Sequence, residues 1–210
     1  MDLKNQEFII FDVETTGLSP VGGDRIIEIA ALKVKNFRIT DEFYSFVDPK
    51  REIPFSATQV NGITQDMILG APSSQEVLTR FHSFISHTAL VGHNIKFDLS
   101  FVCYEFGLIS KWFKDGVMII DTLKIARNIL PNLGRYPLWS VAKSLGIEGE
   151  QKHRARDDTK LTFQVFTRLV KIMGEKTLED IGVLPSALDE FKTFRREERQ
   201  NTFYGELFQI

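Results

Sequence analysis

The most constraining feature of this sequence is an apolar run near its start that ends in two acids. Residues 8–13 read FIIFDV, in which only Asp12 is polar, and Glu14 follows. A run without alternation is typical of a central strand covered on both faces. Side chains two apart on a strand share a face, so Asp12 and Glu14 lie together. A buried carboxylate needs a cation or a hydrogen-bonded partner, so these acids either pair with a loop lysine, cap a following helix or bind metal.

The remaining pattern predicts an α/β fold. We expect strands over residues 8–13, 25–34, 43–47, 89–91 and 117–120, and helices over residues 74–86, about 97–106 and most of the chain after residue 120. Three strands followed by alternating helices and strands indicate a mixed sheet.

Composition excludes several classes of protein. With 210 residues, 43% hydrophobic and 26% charged, the chain is long and apolar enough for one larger domain, or for a domain with a small appendage. A net charge of -2 excludes a protein that coats nucleic acid by bulk charge. Cys103 is the only cysteine, which excludes an intrachain disulfide and a cysteine-rich zinc site. The apolar run of residues 8–11 is too short for a signal peptide or a membrane span, so we expect a cytoplasmic protein without membrane contact.

Two more acids lie at predicted helix starts and face apolar side chains. Asp98 shares a helical face with Phe101 and Val102, although an acid in a first turn also complements the helix dipole. Asp158 begins a stripe through Leu161, Thr162, Val165, Leu169 and Ile172. Asp157 then points outward. Open α/β sheets place their sites near strand ends, which favours convergence of these acids with Asp12 and Glu14.

The segments FDVETTG, GHNIKFDLSF and HRARDDT, in this order, resemble the three motifs of the DEDDh 3′-to-5′ exonucleases. That family includes the proofreading epsilon subunit of bacterial DNA polymerase III, its PolC-type counterpart and RNase T. The resemblance runs from about Phe8 to about Arg168 and includes RIIEIAA, VNGIT and IIDTL. It implies a ribonuclease-H-like fold, a five-stranded mixed sheet flanked by helices on both faces. It also implies an exonuclease domain over residues 1–175, followed by a helical extension over residues 176–210.

The resemblance also implies roles for single residues. Asp12, Glu14, Asp98 and Asp158 correspond to the four metal-binding catalytic acids, and His153 corresponds to the general base. Thr15, Thr16, Leu18 and Phe97 match positions that hold the terminal nucleotide. Asn61 stands in VNGIT where proofreading members often carry His. Arg154, with Lys152 and Arg156, either holds the backbone of the incoming strand or only offsets the acids.

The implied chemistry is phosphodiester hydrolysis with two divalent cations, Mg²⁺ or Mn²⁺, because hard cations prefer carboxylate oxygens. The leading hypothesis is a metal-dependent 3′-to-5′ exonuclease of the proofreading or repair type. It would act on 3′ ends of single-stranded or frayed DNA and release nucleoside monophosphates. RNA trimming by the same chemistry is the alternative. A catalytically silent module that binds nucleic acid or a polymerase would lack an acid or the base, and all five positions are filled.

The C-terminal extension has two interpretations. Lys192, Arg195, Arg196 and Arg199 interleave with acids on a predicted helix that precedes the aromatic tail NTFYGELFQI. Either Phe203, Tyr204 and Phe208 fold back onto the domain, or the segment docks a polymerase or another protein.

Overall fold

The apolar run near the start of the chain forms the central strand of a five-stranded sheet. The computed structural model describes residues 6–86, 88–148, 153–174 and 187–194. Its strands are β1 (Glu7–Thr15), β2 (Ile26–Lys35), β3 (Arg38–Phe46), β4 (Ala89–Gly92) and β5 (Ile119–Asp121). They lie side by side in the order β3-β2-β1-β4-β5. The first strand is antiparallel to β2 and parallel to β4, which confirms the predicted mixed sheet.

Within the described residues, six α-helices accompany this sheet, and helices cover both of its faces. They are α1 (Phe55–Asn61), α2 (Ser74–Ile85), α3 (Lys96–Leu108), α4 (Thr122–Ile129), α5 (Leu138–Ser144) and α6 (Ala155–Met173). Short 3-10 helices span Asp66–Ile68 and Asp189–Phe191. None of the helices in the described part of the chain has both the length and the apolar character needed to cross a bilayer.

Alternate residues of β1 enter two different hydrophobic cores. Ile9 and Phe11 pack with side chains of α2 and α3 on one face. Phe8 and Ile10 pack with side chains of α4, α5 and α6 on the other. Both faces of the strand are therefore buried away from solvent, which explains why its sequence is apolar without alternation.

Three elements differ from the sequence expectation. Helix α1 was not predicted, although Pro54 at its N-cap and Gly62 at its left-handed C-cap are ordinary helix boundary signals. Strand β3 begins at Arg38 and not at residue 43, because a tight turn at Asn36 and Phe37 starts the hairpin early and its outer residues are polar. On α6, Ile172 is 52% exposed and Met173 is buried in its place, because the buried face is centred closer to Phe166.

The described part of the C-terminal extension packs on α3. Ala187 is buried in the first core, and the Phe194 ring lies 5.6 Å from that of Tyr104. Glu190 pairs with Lys96 at 2.6 Å. Residues 176–186 and 195–210 lie outside the described residues, as do Phe203, Tyr204 and Phe208, so the boundary at residue 175 and the docking role stay predictions.

Candidate active site

Three of the predicted acids come together at the end of β1. One carboxylate oxygen from each of Asp12, Glu14 and Asp158 lies within 4.8 Å of the others. The two β1 acids share a face because they are two residues apart, and Asp158 reaches them from the start of α6, which packs on β1 and β2. A shift in pairing register after Glu14 marks the end of the strand, where bulges often redirect side chains at active sites.

Asp98 joins this group through the backbone of β1. Its Oδ1 accepts a hydrogen bond from the Val13 N–H at 3.0 Å, and the side chain is buried. Because the pairing of β1 with β4 ends at Ile10, this side of β1 is uncovered at Val13 and its N–H needs another acceptor. Asp98 is therefore tied to the backbone of Val13, the residue between Asp12 and Glu14 in sequence, and all four acids line one cavity.

The acids oppose one another electrostatically. Burial, followed by the charge of Asp98 and then of Glu14, raises the pKa of Asp12 well above its usual range. Burial first and then Asp158 raise the pKa of Glu14 to about 8. Burial raises the pKa of Asp98 to about 8 as well, despite the Val13 hydrogen bond, which lowers it. Such a set holds protons at neutral pH until cations replace them.

His153 lies at the mouth of the same cavity, just before α6. Its side chain lines the cavity, and the residue is exposed. Its backbone has a φ of 49°, a left-handed conformation that is strained for a residue other than glycine. The imidazole is thus accessible to solvent on the cavity that the four acids line.

The residues predicted to hold a terminal nucleotide form the opposite wall. Thr15, Thr16, Leu18, Asn61 and Phe97 all line the cavity, whose volume is about 420 Å³. Leu18 is 84% exposed, whereas both threonines are buried. Leu18 therefore exposes apolar surface at the rim of the cavity.

The polar members of this wall hold the loop after β1 in place. The Thr16 hydroxyl accepts from the Arg25 N–H at 3.0 Å and donates to Asp24 at 3.3 Å. Asn61 accepts from the Ile63 N–H at 3.0 Å and donates to the Thr15 carbonyl at 3.4 Å. The side chain of Asn61 therefore joins α1 to the end of β1.

The arginine side chains that follow His153 form ion pairs with acids of the sheet. The guanidinium of Arg154 pairs with Glu28 at 2.8 Å, and that of Arg156 pairs with Glu42 at 2.6 Å. Arg154 does not line the cavity. This geometry favours the alternative that Arg154 offsets an acid, and its role in substrate binding stays a prediction without support from the cavity lining. Lys152 lies outside the described residues.

A comparison with protein families agrees with this assignment of the site. A family model described as an exonuclease, RNase T, matches residues 9–166, which contain all four acids and His153. The chain belongs to this exonuclease family.

Relatives of this exonuclease domain include much longer proteins. This chain is 41% identical over 191 residues to a "DNA polymerase III PolC-type" from Clostridium perfringens, and 37% identical over 195 residues to one from Oceanobacillus iheyensis. These matches cover 85% and 93% of the chain but only 13% and 14% of the relatives' lengths. The chain thus spans about one seventh of the proteins that it resembles.

Solved structures support the fold. "Exonuclease X in complex with 5′ overhanging duplex DNA" is 26% identical, with a TM-score of 0.63, and the match covers 82% of this chain and 95% of that one. The zinc-bound form of an E. coli ExoI-ssDNA complex has a TM-score of 0.73 at 23% identity, covering 84% of this chain and 42% of that one. The sheet and its flanking helices have the ribonuclease-H-like fold, as predicted.

Sequence reasoning missed two polar groups around the site. The ring of His93 lines the cavity and connects the Thr122 hydroxyl at 2.9 Å to the Tyr136 carbonyl at 2.8 Å. Burial lowers the pKa of this imidazole. Glu28 lies opposite Glu14 on the neighbouring strand β2 and is fully buried. His93 lies in the motif GHNIKFDLSF and Glu28 in the secondary match RIIEIAA, but nothing local to either segment shows which groups these side chains contact.

Proposed function

We propose that this chain is a metal-dependent 3′-to-5′ exonuclease domain that removes nucleoside monophosphates from 3′ ends of single-stranded or frayed DNA. The observation that carries the proposal is the convergence of Asp12, Glu14 and Asp158 within 4.8 Å, with Asp98 and His153 on the same cavity. Family membership supports the reaction type. The polymerase relatives support DNA as the substrate and a proofreading role.

The donor set fits hard divalent cations. The cluster offers carboxylate oxygens, which suit Mg²⁺ and Mn²⁺. Burial and the neighbouring acids raise the pKa values of Asp12 and Glu14, and a bound cation would offset both effects. Asp12, Glu14, Asp98 and Asp158 would hold two such ions. When bound, the pair supplies Lewis acidity for the attacking water and for the departing oxygen of the phosphodiester.

The residues of the chain then divide the remaining work. His153, which lines the cavity, would take a proton from the attacking water as general base. Phe97 offers an aromatic ring on which the terminal base would stack, because such stacking does not depend on sequence, and Leu18 offers apolar surface to the same base. Thr15, Thr16 and Asn61 shape the wall against which the terminal nucleotide rests.

The decisive experiment is a time course on a 5′-labelled oligonucleotide with Mn²⁺, comparing wild type with Asp158→Ala. We expect a ladder that shortens from the 3′ end with the wild type alone. Competition between DNA and RNA oligonucleotides of the same sequence tests the substrate. Faster degradation of the RNA would mean that the proposed activity is RNA trimming and not DNA degradation. Intact substrate in every lane would contradict a catalytic role.

His153→Ala tests the assignment of the base. We expect kcat to fall by about 10²- to 10⁴-fold, the usual contribution of general base catalysis, while Mn²⁺ binding is retained. Rates at saturating substrate and titration calorimetry with Mn²⁺ measure the two quantities. His82→Gln is the matched control, because His82 bonds to the Trp112 carbonyl and does not line the cavity. Near-normal turnover of His153→Ala would remove it from the mechanism.

The partner of the domain is proposed to be a DNA polymerase, bound through residues 176–210. The support is the polymerase context of the relatives and the charged, aromatic sequence of this segment. A chain that ends at residue 194 should keep its nuclease activity and lose binding to the replicative polymerase in size-exclusion chromatography. Unchanged co-elution would reject docking through the last residues.

A further inference from the structure

A fifth carboxylate lies beside the acid cluster and is not one of its proposed metal ligands. Glu28 on β2 pairs with Glu14 across the β1–β2 ladder and is fully buried. An acid in this place would add to the repulsion among Asp12, Glu14 and Asp158. Its charge therefore requires a partner.

Protein donors supply that partner. Arg154 donates to Glu28 Oε1 through Nη2 at 2.8 Å and to Oε2 through Nε at 3.2 Å. The Ala155 N–H donates to Oε2 at 2.9 Å, and the Tyr44 hydroxyl donates to Oε1 at 2.8 Å. Both oxygens are thus occupied, and the guanidinium is also held over the Phe46 ring at 5.5 Å. The Glu28 carboxylate is thus fully hydrogen-bonded and charge-paired within the protein, and it does not need a metal cation.

These bonds fix the chain immediately after His153. Arg154 is the N-cap of α6 and Ala155 its first residue, so Glu28 holds both positions that follow the proposed base. The Thr159 hydroxyl, one turn later, donates to the Ala155 carbonyl at 2.5 Å. The left-handed backbone of His153 persists only if its surroundings hold it, and the next residue is anchored to the sheet.

We propose that Glu28 is a positioning residue, which, through Arg154 and the Ala155 N–H, holds His153 on the cavity that the acids line. This inference rests on the proposed function, in which His153 is the base. Because Glu28 and Glu14 form one pair of the ladder, the same two strands fix both the acids and the base. Glu28 does not line the cavity and would act only through the residues that follow His153.

A double-mutant cycle tests this role, because two residues that act through one group have non-additive effects. In the His153-containing enzyme, we expect Glu28→Gln to lower kcat by about tenfold or more, with KM and Mn²⁺ affinity within about twofold of the wild type. In the His153→Ala background, the same change should alter the residual kcat by less than about twofold. Arg154→Gln, a change at a partly exposed side chain, should reproduce this pattern, and Arg154→Lys should be intermediate.

Glu105→Gln is the matched control. Glu105 is also buried and arginine-paired, accepting from Arg25 at 2.7 Å, but it lies on α3 and not beside His153. Any loss of rate that it causes should therefore be the same with and without His153. This comparison separates positioning of the base from the general cost of breaking a buried ion pair.

The imidazole resonance of His153 gives a readout that does not depend on activity. Its NMR signal, assigned by its absence in His153→Ala, should shift or broaden in Glu28→Gln and Arg154→Gln but not in Glu105→Gln. An inactive wild type would contradict the proposed function, and this spectrum would still decide the inference. An unchanged signal, an equal rate loss in both backgrounds or a loss of Mn²⁺ affinity would overturn positioning by Glu28.

Discussion

Single carboxylates at the end of β1 carry charges that the folded chain does not balance by itself. Asp12 lies beside Glu14 and Asp158, and the pKa of Asp12 is raised by burial and by these neighbours. Glu28, one strand away, is balanced by Arg154. The proposed metal ligands and the proposed positioning acid thus differ in the donors available to them.

Divalent cations should stabilise the folded protein through Asp12. A ligand that binds only the folded state adds about 2.7 kcal/mol at about 100 times its Kd. We expect Mn²⁺ to raise the Tm of the wild type and Asp12→Asn to remove most of that shift, because asparagine keeps the volume and loses the charge. Differential scanning fluorimetry measures both.

Asp157→Asn is the control for this experiment, since Asp157 is only half-buried and lies beside Asp158 on α6. It should keep the full Mn²⁺ shift. Equal shifts in wild type and Asp12→Asn would count against the site.

Gly17 is required by the loop that follows β1. A Cβ at this position would meet the carboxylate of Asp24 more closely than unbonded heavy atoms approach. Since Asp24 also accepts from Thr16 and from the Ser19 N–H, it has little freedom to yield. We expect Gly17→Ala to displace the cavity wall and raise KM by about tenfold, equivalent to about 1.4 kcal/mol of lost binding, in steady-state assays on oligonucleotides.

Gly22→Ala in the same loop is the comparison, because its Cβ would meet only Ser19, at 3.1 Å. Its KM should change much less. Similar values for the two variants would show that the loop relaxes freely around Gly17.

At the scale of elements, α6 carries Asp158 and follows His153, so its docking on the sheet determines the site. Its apolar face packs against β1 and β2, and the Phe166 ring meets that of Phe8 edge-on at 5.3 Å. A hydrophobic contact two turns away from the acid thus decides where the acid lies.

Phe166→Ala should weaken this docking. Phe166 is fully buried, and truncation of a buried phenylalanine costs about 3 to 5 kcal/mol in free energy of unfolding. Urea unfolding of the metal-free protein measures the loss. Phe163→Ala, on the same helix but only partly buried, should cost clearly less, and an equal cost would indicate that the helix as a whole is loosely packed.

At the scale of the whole molecule, the acids make stability depend on pH. In the folded state burial and neighbouring charges raise the pKa of Glu14 and Asp98 to about 8, from usual values of 4.5 and 3.8. Between these values the folded state binds more protons than the unfolded state, so the free energy of unfolding decreases as pH rises. The contribution is fully present below about pH 4 and is lost as pH rises through about 8.

Without metal, the Tm should therefore be lower at pH 8 than at pH 5. Saturating Mn²⁺ should flatten this dependence, because the cations replace the protons. Thermal scans in EDTA and in Mn²⁺, at constant ionic strength, provide the comparison. A metal-free Tm that rises with pH over this window would contradict the raised pKa values.

The sequence by itself determined the central strand, the side of it that carries Asp12 and Glu14, and the apolar face of α6 that carries Asp158. Each of these follows from the spacing of side chains along a strand, which repeats every two residues, or along a helix, which repeats every 3.6 residues. Such spacing does not depend on the rest of the chain. The three ordered motifs added the fold and the family, and the structure and the comparisons confirmed both.

Only the tertiary structure decided which distant groups meet. The bond from Val13 to Asp98 joins residues 85 apart, and the bonds from Arg154 to Glu28 join residues 126 apart. A charged side chain in a sequence shows that it needs a partner, but the partner is chosen by how helices pack on the sheet. That is why Arg154 could be assigned to substrate or to an acid from sequence, and why its pairing with Glu28 emerged only from the packing of α6 on β2.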